Sequence, residues 1–276
     1  MTNTVILTVV ILTVLGLLLA LVLFWVARKF KVEEDPRIDE VEKVMPGANC
    51  GGCGYAGCAD YARAIVQDNA PVTACAAVSE ENFAEIGRIA GREAGKRERK
   101  VAVVYCSGDN SHAVHVARYN GLNDCRAAAA LSGGGKGCRF GCIGLGSCAR
   151  SCQFGGIEMR NGLAVIHPEL CRGCGKCAEV CPRKLIRLVP AGTTAHVYCN
   201  SLDKGPVKRK YCSSPCLACR KCVRVAPELF AAQGFLVRTK DGADISDELI
   251  REIGCPTGAL QSAAQHNAEK GKDGAA

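Results

Sequence analysis

A dense run of cysteines near the middle of the chain constrains the fold more than any other feature. Its second half has the spacing C-x2-C-x2-C-x3-C-P, and its first half is a stretched version, C-x3-C-x5-C-x3-C. Three thiolates from one tight loop can reach three irons of one small cube, and in a two-cluster unit the fourth cysteine of each run ligates the other cube. The spacing therefore predicts two [4Fe–4S] clusters with crossed ligands, one on Cys138, Cys142, Cys148 and Cys181 and the other on Cys171, Cys174, Cys177 and Cys152.

Structural zinc is the alternative for this run, because zinc also takes ligands from C-x2-C pairs. Zinc ribbons use two separated pairs, and they need neither a third cysteine at the same spacing nor a fourth before a proline. The glycines of RGCGKC let backbone N–H groups turn towards sulfur, which tunes a cluster potential. Iron–sulfur clusters are therefore the favoured interpretation.

The count of 20 cysteines in 276 residues would also suit a secreted disulfide scaffold. These cysteines instead cluster in metal-ligand spacings, and no cleavable signal peptide is evident. A chain of this length also does not need disulfide bonds to stabilise its fold. A reduced, cytoplasmic, metal-loaded protein fits better. The net charge of +8 is dispersed and lacks an interleaved aromatic pattern, so we expect no nucleic acid partner but an acidic protein or a membrane surface.

Residues 5–27 form an uncharged, proline-free apolar stretch. In a helix that rises about 1.5 Å per residue, they cover the roughly 30 Å hydrocarbon core of a bilayer. Trp25 lies near the end and Arg28 and Lys29 follow, whereas a signal peptide carries its positive charges before the apolar run. The sequence predicts an uncleaved, single-pass anchor in the lipid of a bacterial inner membrane, with the following domains cytoplasmic. A buried core helix is the alternative.

A first cysteine domain is predicted for residues 37–95. We expect a helix from Ile38 to Met45, a second from about Ala59 to Gln67, and an amphipathic third over Glu80 to Ala94. The second helix would point its N-terminal N–H groups at a negatively charged cluster. Four cysteines spaced C-x2-C-x4-C-x16-C are the candidate ligands of one [4Fe–4S] cluster, with zinc as the alternative, at Cys50, Cys53, Cys58 and Cys75.

Two segments that flank the central unit are predicted as repeated strands, each of which delivers a cysteine. They are Val101 to Cys106 and Ala195 to Cys199, and each is followed by a further cysteine. We hypothesise a fifth cluster between the central and final units. Its alternatives are four free buried thiols, or a cluster that uses Cys212 in place of Cys216. The candidate ligands of the fifth cluster are Cys106, Cys125, Cys199 and Cys212.

The final cysteine unit has one C-x2-C-x2-C run, followed by Ala226 where a two-cluster motif would have its fourth cysteine. A Cys-Pro pair appears much later, and the whole segment is similar to single-cluster ferredoxins. The total expected is five [4Fe–4S] clusters, and no fewer than four. The candidate ligands in this unit are Cys216, Cys219, Cys222 and Cys255.

Three further features are assigned no chemistry. The basic run Gly91 to Lys100 is predicted as a solvated linker, or alternatively as a docking patch for an acidic carrier. The segment Leu131 to Gly137 lacks phosphate-loop spacing and is predicted as a flexible turn. No catalytic residue is proposed. The histidines have no ligand spacing and are expected at the surface or in packing, at positions His112, His115, His167, His196 and His266.

The predicted fold class is α+β, with one N-terminal transmembrane helix, a small helical [4Fe–4S] domain and then ferredoxin-like iron–sulfur domains. The domain order follows from the cysteine groups and the changes of composition between them. The predicted boundaries are an anchor at 1–27, a linker at 28–36, the four-cysteine domain at 37–95, a two-cluster domain with flanking strands at 96–205, a single-cluster domain at 206–265 and a disordered tail at 266–276.

Three segments carry a family resemblance: DPRIDEVEKVMPGANCGGCGYAGCADYA at 35–62, CRAAAALSGGGKGCRFGCIGLGSCARSC at 125–152 and CRGCGKCAEVCPRKLI at 171–186. Together with the anchor they resemble the B subunit of the Rnf electron-transport complex, in the longer form of anaerobic bacteria, up to about Pro206. The resemblance implies a membrane-bound ferredoxin:NAD⁺ oxidoreductase complex that couples electron flow to Na⁺ or H⁺ translocation. It further implies that this chain takes electrons from reduced ferredoxin and passes them to other subunits.

The resemblance also implies that the flavins and the NAD site belong to partner subunits, so that this chain is an electron carrier and an enzyme only as part of a translocase. Longer relatives often carry a full two-cluster unit where Ala226 stands here. The alternatives are an iron–sulfur subunit of another membrane redox complex, a methyl-transfer partner like the small iron–sulfur domain of corrinoid proteins, and a zinc scaffold.

Overall fold

The computed structural model describes residues 2–29, 35–95 and 97–270 of the chain. Within these ranges a long N-terminal helix precedes a helical unit and then two units that mix short helices with strands. Two 3-10 turns, Val72–Ala74 and Ser132–Gly135, supplement the helices. The helices are α1 (Thr2–Lys29), α2 (Pro36–Val44), α3 (Cys58–Gln67), α4 (Glu80–Ile89), α5 (Cys125–Ala130), α6 (Ser147–Arg150), α7 (Lys176–Val180), α8 (Gly205–Tyr211), α9 (Lys221–Val225), α10 (Asp247–Ile253) and α11 (Ala263–Glu269).

The strands form antiparallel pairs, and no larger sheet occurs in the described ranges. The pairs are β1 with β4, β2 with β3, β5 with β8 and β6 with β7. This mixture of helices and two-stranded ribbons confirms the predicted α+β class. The strands are β1 (Lys100–Val104), β2 (Ile157–Arg160), β3 (Leu163–Ile166), β4 (Ile186–Pro190), β5 (Ala195–Val197), β6 (Phe230–Gln233), β7 (Leu236–Thr239) and β8 (Leu260–Ser262).

Helix α1 contains the predicted anchor. Its segment Val5–Val26 is 22 residues long and apolar, and none of it is buried against the rest of the chain. A helix of this length and composition can cross a bilayer, and its exposed apolar side chains require an apolar surrounding. Most of the predicted linker at 28–36 lies outside the described residues.

Helices α2, α3 and α4 pack around one apolar core that contains Val41, Tyr61 and Ile86. Asp35 caps α2 by accepting a hydrogen bond from the Arg37 backbone N–H at 2.9 Å. Helices α2 and α3 confirm the helices predicted at 38–45 and 59–67. The third predicted helix was too long: α4 ends at Ile89, because the backbone turns at Gly91 into the left-handed region (φ 67°).

The basic run after α4 was predicted as a solvated linker, and the structure contradicts this in part. Arg92 donates hydrogen bonds to the carbonyls of Ile65 (2.6 Å) and Asn69 (2.9 Å), and Arg97 donates to the Cys75 carbonyl. Guanidinium groups bind backbone carbonyls well because they present several donors. These arginines therefore tie the segment to the helical unit. Lys96 lies outside the described residues.

Strands β1 and β5 confirm the predicted repeat. After β1, the Cys106 N–H donates to the Val104 carbonyl at 2.9 Å, and after β5 the Cys199 N–H donates to the Val197 carbonyl at 2.8 Å. Strand β5 pairs with β8, however, so a strand predicted to flank the central unit lies in the final unit. The boundary predicted between residues 205 and 206 therefore separates strands that are paired with each other.

The C-terminal segment predicted as a disordered tail is folded at its start. Residues 263–269 form α11, and His266 and Lys270 are both buried. His266 stacks on Tyr198 with ring centroids 3.6 Å apart, and Lys270 Nζ lies 2.8 Å from Asp109 Oδ2. These contacts offset the entropy lost when the segment is ordered. Residues 271–276 lie outside the described part of the chain.

The glycine-rich segment before Cys138 is a packed turn, which corrects the prediction of a flexible one. Gly133, Gly134 and Gly135 all adopt positive φ angles. A Cβ at Gly135 would lie only 2.0 Å from the Ala117 carbonyl oxygen, so no other residue fits there without a shift of the backbone. The turn delivers the Lys136 side chain into the interior.

Candidate metal centres

One pocket matches a predicted ligand set in full. The loop before α7 and the residue after α6 surround it, and Gly173 and Gly175 turn the loop in the left-handed region. The Ala102 backbone N–H of β1 also lies 3.3 Å from Cys171 Sγ. This pocket, centre II, is lined by Cys152, Cys171, Cys174 and Cys177.

A second pocket brings together a different set of cysteines from one of the predicted quartets. It contains Cys125, which was assigned elsewhere, and lacks Cys138. The reason is Ser147, which accepts a hydrogen bond from the Cys125 N–H (2.8 Å) and donates one to the Asp124 carboxylate (2.9 Å). This bridge joins the start of α5 to the start of α6. The pocket, centre III, is lined by Cys125, Cys142, Cys148 and Cys181.

A third pocket lies between the two repeated strands and takes up Cys138. The Gly108 and Cys142 N–H groups each lie 3.4 Å from Cys106 Sγ. The hypothesis of a fifth cysteine group between the central and final units therefore matches this geometry, but with Cys138 in the place predicted for Cys125. The pocket, centre IV, is lined by Cys106, Cys138, Cys199 and Cys212.

The final unit has the pocket predicted for it. Thr257 donates to the Pro215 carbonyl at 2.7 Å, which holds the late Cys-Pro segment against the first cysteine of the unit. Cys216 and Cys212 fall in different pockets, so the alternative in which Cys212 replaces Cys216 does not match the geometry. This pocket, centre V, is lined by Cys216, Cys219, Cys222 and Cys255.

The helical unit brings its own four cysteines together. Asn49 Oδ1 accepts a hydrogen bond from the Cys58 N–H at 2.7 Å, which fixes the start of α3. The Tyr61 hydroxyl lies within 2.9 Å of the Pro71 and Val72 carbonyls and holds the turn that leads to Cys75. This group, centre I, consists of Cys50, Cys53, Cys58 and Cys75: the last three belong to or pack against one core, and Cys50 lies close enough to Cys75 to help raise its pKa, after burial.

Burial raises the thiol pKa values across these centres, and neighbouring sulfurs add to the effect. Burial raises the pKa of Cys148 to about 12, with further contributions from Cys142, Cys125 and Cys181. Burial likewise raises the pKa of Cys177 to about 12 and that of Cys212 to about 12. Sulfurs this close together would repel one another as free thiolates, so a cationic group among them is needed to stabilise their charge.

The donor sets fit cubane clusters better than single ions. The four cysteines of each of centres II to V lie in the wall of one pocket. A structural zinc ion needs thiolates about 2.3 Å from a common point, whereas a cube presents four separate irons.

The five centres form an unbroken series. A Cβ at Gly52 of centre I would lie 2.8 Å from the carbonyl oxygen of Cys174 in centre II. The sulfur of Cys177 in centre II helps to raise the pKa of Cys148 in centre III, after burial. The other two junctions are N–H to sulfur contacts. The Cys142 N–H of centre III lies 3.4 Å from Cys106 Sγ of centre IV. The Cys216 N–H of centre V donates to the Cys199 sulfur of centre IV.

The histidines take structural positions, as predicted. His196 and His266 are buried beside Tyr198, and His112 lies 2.7 Å from Asp109. Burial lowers the pKa of His196 to about 4 and that of His266 to about 3. Both imidazoles are therefore neutral at pH 7.

The sequence interpretation missed a set of interior cations. Lys136 and Lys208 are 4% and 3% exposed, and Arg238 is 7% exposed, yet each donates to backbone carbonyls near a centre. Arg183 does the same from beside Cys181. Lys136 is a single lysine inside a glycine run between cysteines, and this position is the sequence signal that could have indicated its burial. Lys208 lies in an ordinary-looking basic stretch that gave none.

Two family models match parts of the chain. The model described as "Putative Fe-S cluster" matches residues 45–77, which contain centre I. The model described as "4Fe-4S binding domain" matches residues 164–187, which contain the C-x2-C-x2-C-x3-C-P run. Iron–sulfur binding is therefore supported for two of the cysteine groups by comparison as well as by spacing.

Three curated relatives match most of the chain, and each is the B subunit of its complex. The one from an ion-translocating oxidoreductase complex of Methanosarcina acetivorans is 35% identical over 95% of this chain and 99% of the relative. The one from the Na(+)-translocating ferredoxin:NAD(+) oxidoreductase complex of Acetobacterium woodii is 43% identical over 78% of this chain, which spans 65% of that relative. The proton-translocating counterpart of Clostridium ljungdahlii is 40% identical over 78% of this chain and 76% of the relative.

These matches extend beyond the cysteine motifs and cover between 78% and 95% of the chain, and they agree with the resemblance carried by the three segments. The apolar helix at the N-terminus agrees with membrane association. The chain belongs to the family of B subunits of ion-translocating oxidoreductase (Rnf) complexes.

Proposed function

We propose that each of the five centres holds one [4Fe–4S] cluster and that the chain relays electrons within a membrane-bound ferredoxin:NAD⁺ oxidoreductase complex. The observation that carries this is the unbroken series of five four-cysteine centres, with contact at every junction. Bound clusters would supply one-electron chemistry. The chain supplies the thiolates, excludes water from the pockets and sets the distances between centres.

Centre I lies at the membrane end of the relay. Helix α1 ends at Lys29 and α2 begins at Pro36, so the six residues between them span at most about 21 Å. Arg28 and Lys29 follow the apolar segment, and the positive-inside rule places everything after them on the cytoplasmic side. Electrons would therefore leave this chain from centre I towards membrane subunits.

Centre V lies at the opposite end and is the proposed entry point. Cys219 is the one exposed cysteine of the twenty. Exposed Arg220, Lys221 and Arg224 surround it, which makes this surface basic. Such a surface suits an acidic carrier protein, and the names of two relatives include ferredoxin.

The names of these relatives specify Na⁺ in one case and protons in another. The described apolar segment of α1, Val5–Val26, carries no ionisable side chain. A path for either ion needs polar or ionisable groups within the membrane. We therefore assign ion translocation to partner subunits, and an anchoring role to α1.

The entry point is tested by reducing the oxidised full-length chain with reduced ferredoxin and following the loss of cluster absorbance. Reversing charge at centre V with Arg220→Glu plus Arg224→Glu should slow reduction by ferredoxin at least tenfold and leave reduction by dithionite unchanged. Arg88→Glu, on the exposed face of α4, is the control. Equal rates for the wild type and the double variant would contradict entry at centre V.

Membrane orientation is tested separately. Protease added to inverted membrane vesicles should remove the domains after α1, whereas protease added to right-side-out vesicles should leave them intact. The opposite pattern would contradict the cytoplasmic assignment.

A further inference from the structure

The cysteine centres differ in the number of positive charges buried around them. Four cations contact centre IV, of which Lys136, Lys208 and Arg238 are buried and Arg183 is partly buried, and no other centre in the described ranges contacts all four. Lys208 lines the pocket directly, and its Nζ donates to the Cys216 carbonyl at 2.8 Å. Lys136 Nζ donates to the Gly108 carbonyl, also in the pocket wall, at 2.6 Å and to the Cys142 carbonyl at 2.8 Å.

The two arginines complete the set from the other sides. Arg183 donates to the carbonyls of Cys138 and Gly141, both at 2.6 Å. Arg238 donates to the Cys199 carbonyl at 3.3 Å and to the Asn200 side chain. The acceptors Gly108, Cys138, Gly141, Cys199 and Asn200 line centre IV, whereas Cys142 lines centre III and Cys216 lines centre V.

None of the four cations has a carboxylate partner in the described part of the chain. The nearby carboxylates are already paired, Asp109 with Lys270 at 2.8 Å and Asp203 with Arg139 at 2.7 Å. An unpaired buried charge is strongly destabilising. A negatively charged group in the pocket would compensate these cations.

The other centres contact fewer of these cations: Arg183 lines centre III and Lys136 donates to its Cys142 carbonyl, and Lys208 donates to the Cys216 carbonyl of centre V. Lys176 beside centre II is ion-paired with Glu179 at 3.1 Å. Lys221 beside centre V is exposed and donates to the Gly254 carbonyl at 3.3 Å. Exposed or paired charges are screened by water and by their partners, whereas buried charges act through a low dielectric.

We propose that the cluster of centre IV has the highest reduction potential of the five, because Lys136, Arg183, Lys208 and Arg238 stabilise its reduced form. Each transfer oxidises one cluster by one electron and reduces the next by one, with no bond made or broken. The added negative charge is favoured where cations are buried, so centre IV is reduced first. It then holds an electron between the entry and exit ends of the relay. This inference rests on the proposed function, since it requires clusters in the pockets.

The test is a potentiometric titration of the anaerobically purified full-length chain, followed by EPR. The signal of centre IV is identified as the one lost in Cys212→Ser. In the wild type, this signal should be the first to appear as the potential is lowered. If a different signal appears first, the proposal is overturned. This outcome needs only the wild type and Cys212→Ser, and no variant of a charged residue.

A matched pair on α8 isolates the buried charge. Lys208→Gln removes a buried cation and Lys210→Gln removes an exposed one two residues away. At a fixed applied potential, Lys208→Gln should raise the ratio of oxidised to reduced centre IV about tenfold. This corresponds to a decrease of about 59 mV in its one-electron reduction potential. Lys210→Gln should leave the couple unchanged. Equal shifts in the two variants, or no shift in either, would overturn the proposal.

A second pair keeps the test decisive if Lys208→Gln loses its cluster. Arg238→Gln should lower the centre IV potential, whereas Arg238→Lys, which keeps the charge, should retain most of it. A shift in both or in neither would contradict the role of charge. If Cys212→Ser removes no signal from the wild-type pattern, the five-cluster proposal itself fails, which is a different outcome from a wrong order of potentials.

Discussion

Single polar side chains determine which cysteines meet. Ser147 joins the Cys125 N–H to the Asp124 carboxylate, and Asn49 holds the Cys58 N–H. Each of these contacts replaces water on a backbone group at the edge of a pocket and fixes the direction of a neighbouring sulfur. A buried donor left without its acceptor costs about 1–3 kcal/mol. Cysteine grouping therefore depends on residues that are not ligands themselves.

The first prediction concerns Ser147. Ser147→Ala should lower the free energy of unfolding by about 1 kcal/mol, because the part-buried Cys125 N–H loses its acceptor. It should also change the EPR signal of centre III alone, since Cys125 belongs to that centre. Chemical denaturation under anaerobic conditions and EPR measure the two effects. Ser213→Ala, at an exposed position, is the control, and an equal effect there would contradict the bridging role.

The second prediction concerns the exchanged cysteines. Cys138→Ser should alter the same EPR signal as Cys212→Ser, and Cys125→Ser should alter the same signal as Cys148→Ser, because each pair lines one pocket. The quartet inferred from spacing predicts instead that Cys138→Ser and Cys148→Ser act on one signal. EPR of the four reduced variants distinguishes the two groupings.

The exchange shows where sequence spacing stops being informative. Spacing placed Cys171, Cys174 and Cys177 with Cys152 because one tight loop and a known crossing pattern define that set. Cys125 and Cys138 lie at either end of a glycine-rich turn. Which of them joins Cys142 depends on the Ser147 bridge, a contact between residues far apart in sequence. The buried cations were missed for the same reason, since burial of Lys208 follows from tertiary packing.

At the scale of elements, short helices and ribbons act as holders for cysteine loops. The β1–β4 and β5–β8 ribbons are equivalent, and each delivers a cysteine to centre IV from the turn after its first strand. The periodicity of the sequence was sufficient to predict these strands. It did not predict α11, because its residues are polar and small and tertiary contacts stabilise it, among them His266 on Tyr198, Lys270 on Asp109 and Asn267 on the Ile166 carbonyl.

The third prediction tests the junction between centres I and II. Gly52→Val should push the two loops apart, because even a Cβ would lie 2.8 Å from the Cys174 carbonyl oxygen. The magnetic coupling between the two reduced clusters should weaken while the iron content stays constant. Gly192→Ala, where a Cβ would meet no atom within 4 Å, should leave the coupling unchanged. Unaltered coupling in Gly52→Val would contradict the contact.

The fourth prediction concerns α11 and pH. Burial lowers the pKa of His266 to about 3 from an ordinary 6.5, with smaller contributions from Lys270 and His196. The unfolded state therefore binds a proton that the folded state does not, and stability falls as the pH decreases from 6.5 towards 3. The slope for one such group is at most about 1.4 kcal/mol per pH unit.

His266→Phe keeps a ring against Tyr198 and removes this titration. Its thermal unfolding midpoint should depend less on pH between 5 and 6.5 than that of the wild type, while His196 still contributes its own slope. Thermal melts at a series of pH values measure this. Equal pH dependence of the variant and the wild type would show that His266 is not buried as a neutral ring.

At the scale of the whole molecule, groups of cysteines form part of several small cores, and no single large apolar core occurs in the described ranges. Cysteines belong to three of the four buried clusters of apolar side chains, in the helical, central and final units. If clusters occupy these pockets, as proposed, their removal would leave the pockets unfilled and the buried cations Lys136, Lys208 and Arg238 uncompensated. Folding and metal binding are therefore expected to be coupled. The same packing holds the five centres in one series from the membrane helix to the basic surface at centre V.

The central claim is that five clusters occupy this series, and iron and acid-labile sulfide per chain test it most directly. Anaerobically purified full-length protein should contain about twenty irons and about twenty sulfides, four of each per cube. About sixteen of each would contradict a cluster in centre IV and remove the basis for the proposed order of potentials. Zinc in place of iron would contradict the relay itself.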